Sequence, residues 1–326
     1  MNYGLLTYAE NKRNFNVGDY IQSIAARQFL PRVDSYINRE KLADFKGEKT
    51  KIILNGWFTH KPENWIPSPD LDPLFISFHI NSSAAPFMLT QSGLEYLKQK
   101  EPIGCRDLYT VTILKEKGIN AYFSGCLTLT LDSYKVKDEE RSEEIIIVDP
   151  LYGYPSVDGI FYDYKRFVRS IQNLKIFQLG KRNKHLNKII AKELLHNAVY
   201  VNQVLPAHTY TDEQKFKIAE EILKKYARAK LIITSRIHCA LPCLSLGTPV
   251  IYLNGFESFV DSCRLDGILD LFNRIDINTK TGVFQANFPL DGKIGSGLNI
   301  KNPERHIELV QSLKRRCSSF LKSQVS

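Results

Sequence analysis

The chain lacks the sequence features of a secreted protein and of a nucleic-acid-binding protein. Its first residues contain no basic segment followed by an apolar one, so we expect no secretory signal. Its six cysteines form no C-x-x-C pair and show no zinc spacing, which favours buried, reduced thiols. No low-complexity tract and no nucleic-acid motif accompany them. These absences predict a cytoplasmic globular protein that does not bind nucleic acid.

Acidic residues are outnumbered by basic ones, 35 against 44, so the formal net charge is +9. A charge of this sign favours anionic partners, such as phosphorylated donors, lipid-linked phosphates or an acidic membrane surface. A length of 326 residues suggests two domains, each large enough for its own core.

The most informative stretch covers residues 230–253. Leu231–Ile233 is short, apolar and β-branched, as is typical of a buried parallel strand, and Val250–Leu253 predicts the next strand. Between them we predict a helix that Thr234 and Ser235 cap and that the following Gly-Thr-Pro sequence ends. The stretch is also long and apolar enough for a membrane span, but its charged residues and prolines argue against one. We therefore predict a βαβ unit.

Ser235, Arg236 and His238 follow the carboxyl end of the first of these strands, where open α/β sheets bind ligands. Free N–H groups at a helix start favour an anion there. Arg236 can grip a carboxylate or phosphate at two points, and His238 suits proton transfer near neutral pH. The alternative is a buried arginine paired with an aspartate, beside a core histidine. The position at a strand-to-helix turn favours the functional interpretation.

Three stretches resemble landmarks of the polysaccharide pyruvyltransferase family. Thr-Ser-Arg-Ile-His-Cys-Ala at 234–240, followed by Leu-Gly-Thr-Pro-Val-Ile at 246–251, resembles its signature, and Asn16–Gln22 and Gly104–Asp107 are similar to the other two. The resemblance implies an α/β, GT-B-like fold: two Rossmann-like domains with parallel sheets facing a central cleft. It also implies transfer of pyruvate from phosphoenolpyruvate onto two hydroxyls of a sugar, forming a ketal.

The implied domains are an N-terminal Rossmann-like one at 1–137 on the acceptor side and a C-terminal one at 138–302 with the donor and anion site. A helix within 303–326 is implied to cross back to the first domain. The acceptor would be a cell-surface polysaccharide, such as a capsule or exopolysaccharide, or its lipid-linked precursor. Phosphoenolpyruvate is then a co-substrate, and we expect no cofactor and no metal.

Two other functions remain open: a nucleotide-sugar-dependent glycosyltransferase of GT-B fold, and a non-catalytic protein that binds a sugar or an anion. The basic segment 181–192 is either a solvated helix face or a contact for a membrane or a lipid-linked phosphate. The second reading would place the protein at the inner face of the plasma membrane.

We expect donor binding by Arg106, Ser235, Arg236, Ile237 and His238, with catalysis by His238 and Arg236. His238 would transfer the protons, while Arg236 and Arg106 would hold the carboxylate and the phosphate. Arg106 lies at another strand-to-helix junction and belongs to a family landmark. Its alternative is a solvent-exposed pair with the aspartate that follows it.

Asn16 and Asp19 are implied by the resemblance to face the cleft, although Asp19 also fits a capping box with the glutamine three residues later. His208, after a strand predicted at 199–205, is the reserve catalytic histidine. Trp57 and His60 suit either packing or contact with a sugar ring. The possible cleft residues are Asn16, Gly18, Asp19, Gly56, His208 and Arg264.

Other apolar runs predict strands at 3–8, 33–37, 51–57 and 74–80, and helices at 39–45 and from Pro303 to about Lys322. A tyrosine-rich segment at 152–164 suits either ordinary packing or an acceptor groove.

Overall fold

The structure is a computed structural model that describes residues 1–8, 13–155, 168, 171, 179–207, 210–256 and 262–323. The strands are β1 Asn2–Thr7, β2 Asn14–Asn16, β3 Ser35–Asn38, β4 Thr50–Phe58, β5 Leu71–Ile80, β6 Ile103–Cys105, β7 Ala121–Phe123, β8 Ile145–Val148, β9 Val199–Val201, β10 Val204–Pro206, β11 Leu231–Thr234, β12 Val250–Asn254, β13 Asn273–Ile277 and β14 Phe284–Ala286. The α-helices are α1 Val17–Arg27, α2 Ala85–Met88, α3 Gln91–Gln99, α4 Leu108–Glu116, α5 Lys181–Ile189, α6 Lys192–Asn197, α7 Asp212–Arg228, α8 Ile237–Leu246 and α9 Ile307–Lys322.

The first sheet has the strand order β3-β1-β4-β5-β6-β7, and all of its neighbouring strands are parallel. Its central strands β4 and β5 are buried along most of their length, as expected where both faces of a parallel sheet are covered. All six strands therefore end at the same edge of the sheet.

The second sheet has the order β14-β13-β12-β11-β8-β9, and only β14 runs antiparallel to its neighbour. The predicted βαβ unit is confirmed as β11, α8 and β12, with Ile232 of β11 paired in parallel with Val250 of β12. Gly247 ends α8 with a φ of 69°, the left-handed conformation that glycine adopts easily at a helix end. The predicted α/β class with parallel sheets in two Rossmann-like halves of GT-B type is confirmed.

A short antiparallel ribbon of β2 and β10 joins the two halves. In the chain, β2 follows the first strand of the first sheet, and β10 follows β9 of the second sheet. Beside it, the Val17 amide donates to the Gln203 carbonyl at 2.8 Å. The Tyr20 hydroxyl donates to Asp212 at 2.7 Å, where α1 packs on α7. One hydrophobic core therefore extends from the first sheet through α1 into the second half.

Helix α9 lies against the first sheet although it follows the second one in the chain. Its buried residues Leu313 and Cys317 belong to the shared core. The Lys51 ammonium of β4 donates to the carbonyls of Phe320 and Ser323 at 2.5 Å each, which places a cation at the negative end of the helix dipole.

Three local predictions were wrong. Residues 199–205 form two strands, because the chain turns after β9 to leave its sheet and pair with β2. Residues 39–45 form only a 3₁₀ turn at Arg39–Lys41, because the Glu40 carboxylate accepts hydrogen bonds from the Thr59 hydroxyl and from the amides of the two residues after it. The last helix starts four residues after Pro303, because the Asn302 side chain holds the preceding segment to the second sheet.

The cysteines in the described part of the chain are all buried, and none of them forms a disulfide there. In the part of the chain that the structure covers, we find no helix with the length and apolar character needed to cross a membrane.

Arg141 joins the segment before β8 to the carboxyl ends of two helices. Its guanidinium donates to the carbonyl of Ala227 at 2.8 Å, to that of Leu246 at 3.0 Å and to the Thr248 hydroxyl at 2.8 Å. Ala227 lies in the last turn of α7 and Leu246 ends α8, so one cation satisfies carbonyls at the negative ends of two helix dipoles.

We expect Arg141→Ala to lower the free energy of unfolding by about 1.5–3 kcal/mol, the range for hydrogen bonds to a charged group. Chemical denaturation followed by circular dichroism measures this change. Arg32→Ala is the control, since the Arg32 side chain is 58% exposed and should leave the midpoint unchanged. An Arg141→Ala protein with the wild-type midpoint would contradict the prediction.

Candidate active site

A cavity of about 410 Å³ lies where the carboxyl edges of the two sheets meet. Arg39, Asn81 and Arg106 enter it directly after strands β3, β5 and β6 of the first sheet. Tyr152, Gln203 and Arg236 enter it after β8, β9 and β11 of the second. The cavity is lined by Asn16, Asp19, Arg39, Trp57, His60, Asn81, Ser83, Arg106, Tyr152, Gln203, Arg236, Ile237, His238 and Arg264.

Most of the predicted site residues line this cavity together: Asn16, Asp19, Arg106, Arg236, Ile237, His238 and Arg264. Asn16 lies at its wall because it caps α1, accepting a hydrogen bond from the Gly18 amide at 3.1 Å. Asp19 is therefore not the capping residue. Its Oδ1 accepts a hydrogen bond from the Gln22 side chain at 3.2 Å within the first turn.

Ser235, Gly18 and Gly56 lie beside the cavity and are not part of its described lining. The Ser235 hydroxyl is buried, donating to the Leu253 carbonyl at 2.7 Å and accepting from the Leu151 amide at 2.8 Å. Gly18 allows a close approach: a Cβ there would lie 3.0 Å from Cβ of His238.

Gly56 has a φ of 103°, and a Cβ there would lie 2.5 Å from the side-chain oxygen of Gln22. It therefore serves the contact between β4 and α1. The other predicted residue, His208, lies outside the described residues, as does most of the tyrosine-rich segment at 152–164.

Arg106 is a buried cation with free donors. Its side chain is 1% exposed, and none of its three guanidinium nitrogens has a hydrogen-bond partner among the described residues. The nearest carboxylate atom, on Asp107, is 3.8 Å away and also lies 2.6 Å from the His79 ring. The alternative of a solvent-exposed pair is therefore wrong. Burial lowers the pKa of the Arg106 guanidinium. Keeping this group charged in the ligand-free site therefore costs free energy.

Asp107 is held by the helix that follows it. One of its oxygens accepts hydrogen bonds from the Thr110 amide at 2.9 Å and the Thr110 hydroxyl at 2.8 Å, so Asp107 caps α4. Although burial acts to raise the pKa of Asp107, the nearby His79 and Arg106 and the Thr110 amide lower it. This carboxylate is ionised and engaged, which leaves the nitrogens of Arg106 for a ligand.

Arg236 occupies the N-cap position of α8, so the prediction that Thr234 and Ser235 cap this helix was wrong. The Thr234 hydroxyl accepts a hydrogen bond from the Arg236 amide at 2.9 Å instead. A guanidinium has no acceptor atom, and no side chain in the described part of the chain caps the first turn of α8. The start of α8 is therefore suited to an anion.

The Arg236 side chain is held from two directions. Its Nε donates to Asp149 at 2.8 Å, and its Cζ lies 3.6 Å from the centre of the Tyr152 ring. The predicted alternative, an arginine paired with an aspartate, is thus partly right. One edge of the guanidinium is paired, while the residue lines the cavity and is 18% exposed. The ion pair with Asp149 orients the planar guanidinium group of Arg236.

His238 is the second residue of α8 and is 8% exposed. Burial first, and then Arg106, Arg264 and Arg236, lower the pKa of its imidazole well below the usual value, so the ring is neutral at neutral pH. Its Nε2 is buried and has no partner within the described ranges. A neutral imidazole with a free nitrogen can accept a proton.

The backbone at His238 departs from the helix, with φ −83° and ψ 15°. Pro242, one turn later, has no N–H to donate to the His238 carbonyl. The side-chain amide of Gln203 donates to that carbonyl instead, at 3.1 Å, and to the Tyr226 hydroxyl at 3.2 Å. Gln203 is 1% exposed and therefore positions His238 from the turn between β9 and β10.

Arg39, Asn81, Ser83 and Gln203 were missed by the sequence analysis, although the first two directly follow strands. Arg39 is 3% exposed, bonds to Glu40 at 2.9 Å, and has its Cζ about 5 Å from the Trp57 ring. The rule that ligands bind at carboxyl strand ends, applied to the strands predicted at 33–37 and 74–80, would have found Arg39 and Asn81, whereas Gln203 lies inside the strand predicted at 199–205.

The cavity is cationic, because four arginines and a single aspartate line its described wall. No group of three or more histidine, cysteine, aspartate or glutamate side chains in the described residues could hold a metal ion.

Two Rossmann-like halves with a cationic cavity between their strand ends define a GT-B-like protein whose cavity is suited to an anionic ligand. The chain belongs to the polysaccharide pyruvyl transferase family, whose model matches residues 16–255. This stretch includes all three landmark segments and nearly the whole cavity lining. The family is one of transferases that act on polysaccharides. No curated protein matches the chain significantly.

We expect Gln203→Leu to lower the free energy of unfolding by about 1–3 kcal/mol, because it leaves the buried His238 carbonyl without a donor. Denaturant titration measures the change. Gln91→Leu, at an exposed position of α3, is the matched control and should have little effect. Equal stability of the Gln203 and Gln91 variants would show that the contact does not hold the first turn of α8.

Proposed function

We propose that the protein transfers pyruvate from phosphoenolpyruvate to two hydroxyls of a sugar in a cell-surface polysaccharide or its lipid-linked precursor, forming a ketal. The observation that carries the proposal is the buried Arg106, which lies in one cavity with Arg236 and the start of α8. Within the described residues, the three guanidinium nitrogens of Arg106 have no hydrogen-bond partner and no side chain caps α8. Phosphoenolpyruvate has about three negative charges near pH 7, on a carboxylate and a phosphate. Two planar guanidinium groups and the start of a helix are suited to binding these negative charges.

The reaction requires four events. The methylene carbon gains a proton, which makes C2 oxocarbenium-like, and a sugar hydroxyl loses its proton as it attacks C2. Phosphate leaves, and a second hydroxyl closes the ring. We assign proton transfer to His238, whose neutral ring and unpartnered Nε2 suit a base. Arg106 and Arg236 would hold the carboxylate and phosphate so that C2 stays in place.

The sugar acceptor would bind on the side of the cavity that the first half of the chain forms. Trp57 and His60, whose ring centres are 4.5 Å apart, line that side of the cavity and offer an aromatic face and a polar edge. Burial and then Arg39 lower the pKa of His60, so its neutral ring can exchange hydrogen bonds with sugar hydroxyls.

We expect phosphoenolpyruvate to raise the melting temperature of the wild-type protein, because a ligand that binds only the folded state stabilises it by RT ln(1 + [L]/Kd). Arg106→Met should abolish this rise. The ligand-free variant should be at least as stable as wild type, since removing an unpaired buried charge relieves a desolvation penalty.

Arg315→Met, on the exposed face of α9, is the matched control and should keep the full ligand effect. Stabilisation by millimolar nucleotide sugars without any by phosphoenolpyruvate would instead support a glycosyltransferase. An Arg106→Met protein that keeps the wild-type shift would remove Arg106 from the donor site.

His238→Gln keeps the approximate size and hydrogen bonding of the side chain but cannot exchange a proton at neutral pH. We expect it to fold, to bind phosphoenolpyruvate nearly as tightly as wild type, and to lose at least about a hundredfold in turnover. The assay is phosphate release that depends on both phosphoenolpyruvate and a sugar acceptor, such as a galactoside or an N-acetylhexosamine. Near-normal turnover would move the proton-transfer role to another residue, with His208 the first to test.

A further inference from the structure

Asp19 is the one carboxylate in the described wall of a cavity that four arginines line. It lies half-buried in the first turn of α1, where the helix dipole favours a negative charge. Its Oδ1 accepts a hydrogen bond from Gln22 at 3.2 Å. An ionised carboxylate here would oppose the binding of an anionic donor, so a role in binding that donor does not account for it.

The first turn of α1 meets the first turn of α8 closely. A Cβ on Gly18 would lie 3.0 Å from Cβ and 3.2 Å from Nδ1 of His238, so glycine is what lets the two turns approach. Asp19 is the next residue and lines the same cavity as His238. A carboxyl group thus lies in one cavity with an imidazole whose Nε2 has no hydrogen-bond partner among the described residues.

The surroundings of the two groups act in opposite directions. Burial raises the pKa of Asp19, against the attraction of Arg39, His60, Arg106 and Arg236. Burial lowers the pKa of His238, and Arg106, Arg264 and Arg236 lower it further. Each environment favours the uncharged form, a carboxylic acid on one side and a neutral imidazole on the other. Such a pair is what acid and base catalysis in one site requires.

We propose that Asp19 is the second proton-transfer residue: its carboxyl gives a proton to the methylene carbon of phosphoenolpyruvate, while His238 takes the proton of the attacking hydroxyl. The inference rests on the proposed pyruvyl transfer and adds a division of labour to it. It also accounts for a carboxyl group among four arginines.

The proton balance closes over two steps. In the first, the Asp19 carboxyl protonates the methylene carbon to a methyl group, the first hydroxyl oxygen bonds to C2, and its proton goes to Nε2 of His238. Asp19 is then a carboxylate and His238 an imidazolium. In the second, the other hydroxyl bonds to C2 and gives its proton to Asp19, while the C2–O bond to phosphate breaks and His238 protonates the leaving phosphate. Both residues return to their starting forms.

The test is the pH dependence of turnover in Asp19→Asn. Wild-type turnover should fall as pH rises through the pKa of Asp19, which then loses its proton, and fall as pH drops through that of His238, which then gains one. Asp19→Asn should lose about 10²–10⁴ in turnover, and its remaining activity should no longer fall on the alkaline side. Asp34→Asn, which changes an exposed carboxylate paired with Arg32, should behave like wild type.

Calorimetry separates this role from a structural one. Asp19→Asn should bind phosphoenolpyruvate about as tightly as wild type, because a neutral amide replaces the protonated, neutral carboxyl group. Asp19→Glu keeps a carboxyl group. It should recover part of the turnover, and its turnover should again decrease at alkaline pH.

Three results for Asp19→Asn would overturn the inference. They are near-wild-type turnover, a pH profile that loses the decrease in turnover at acidic pH instead of the one at alkaline pH, and loss of phosphoenolpyruvate binding. If the wild-type protein releases no phosphate from phosphoenolpyruvate with any acceptor, the proposed function fails, and the inference with it. A wild-type protein that does release phosphate isolates the role of Asp19.

Discussion

The hydrogen bond from the Gln203 side chain to the His238 carbonyl is the interaction on which the geometry of the cavity depends. It exists because Pro242 cannot donate to that carbonyl, so the first turn of α8 needs a donor from outside the helix. Gln203 lies in the turn that leads from the second sheet to the ribbon with β2, and its own carbonyl accepts from Val17 at the start of α1. Gln203 thus joins the two halves, with its side chain on the His238 carbonyl and its backbone carbonyl on the Val17 amide.

The same region carries an electrostatic penalty that folding alone does not explain. Arg106 is buried without a hydrogen-bond partner among the described residues, and burial lowers the pKa of its guanidinium. An apolar side chain of similar volume would suit the stability of a ligand-free protein better. The proposed anionic donor would account for the arrangement, since it would bond to the guanidinium of Arg106 and offset the charges of Arg236 and Arg264.

Sequence patterns predicted the elements that depend on local order. The strand β11, the helix α8 with its terminal Gly247 and the strand β12 follow from residue types and spacing, and so does the position of Arg236 at a strand end. The failures have a common cause. The turn at 202–203 that divides β9 from β10, and the short 3₁₀ turn at Arg39–Lys41, result from partners distant in the chain. Local propensity does not contain that information.

By itself the sequence determined the parallel α/β architecture, the strand-end positions of the arginines and the histidine, and the resemblance of three segments to one family, because each is a property of neighbouring residues. Only the tertiary structure decided which of these side chains have partners. Asp149 pairs with Arg236, whereas Asp107 contacts Thr110 and His79, and Arg106 has no hydrogen-bond partner among the described residues. Burial raises the pKa of Asp19 and, together with nearby arginines, lowers that of His238, and this burial depends on the packing of the two halves against each other.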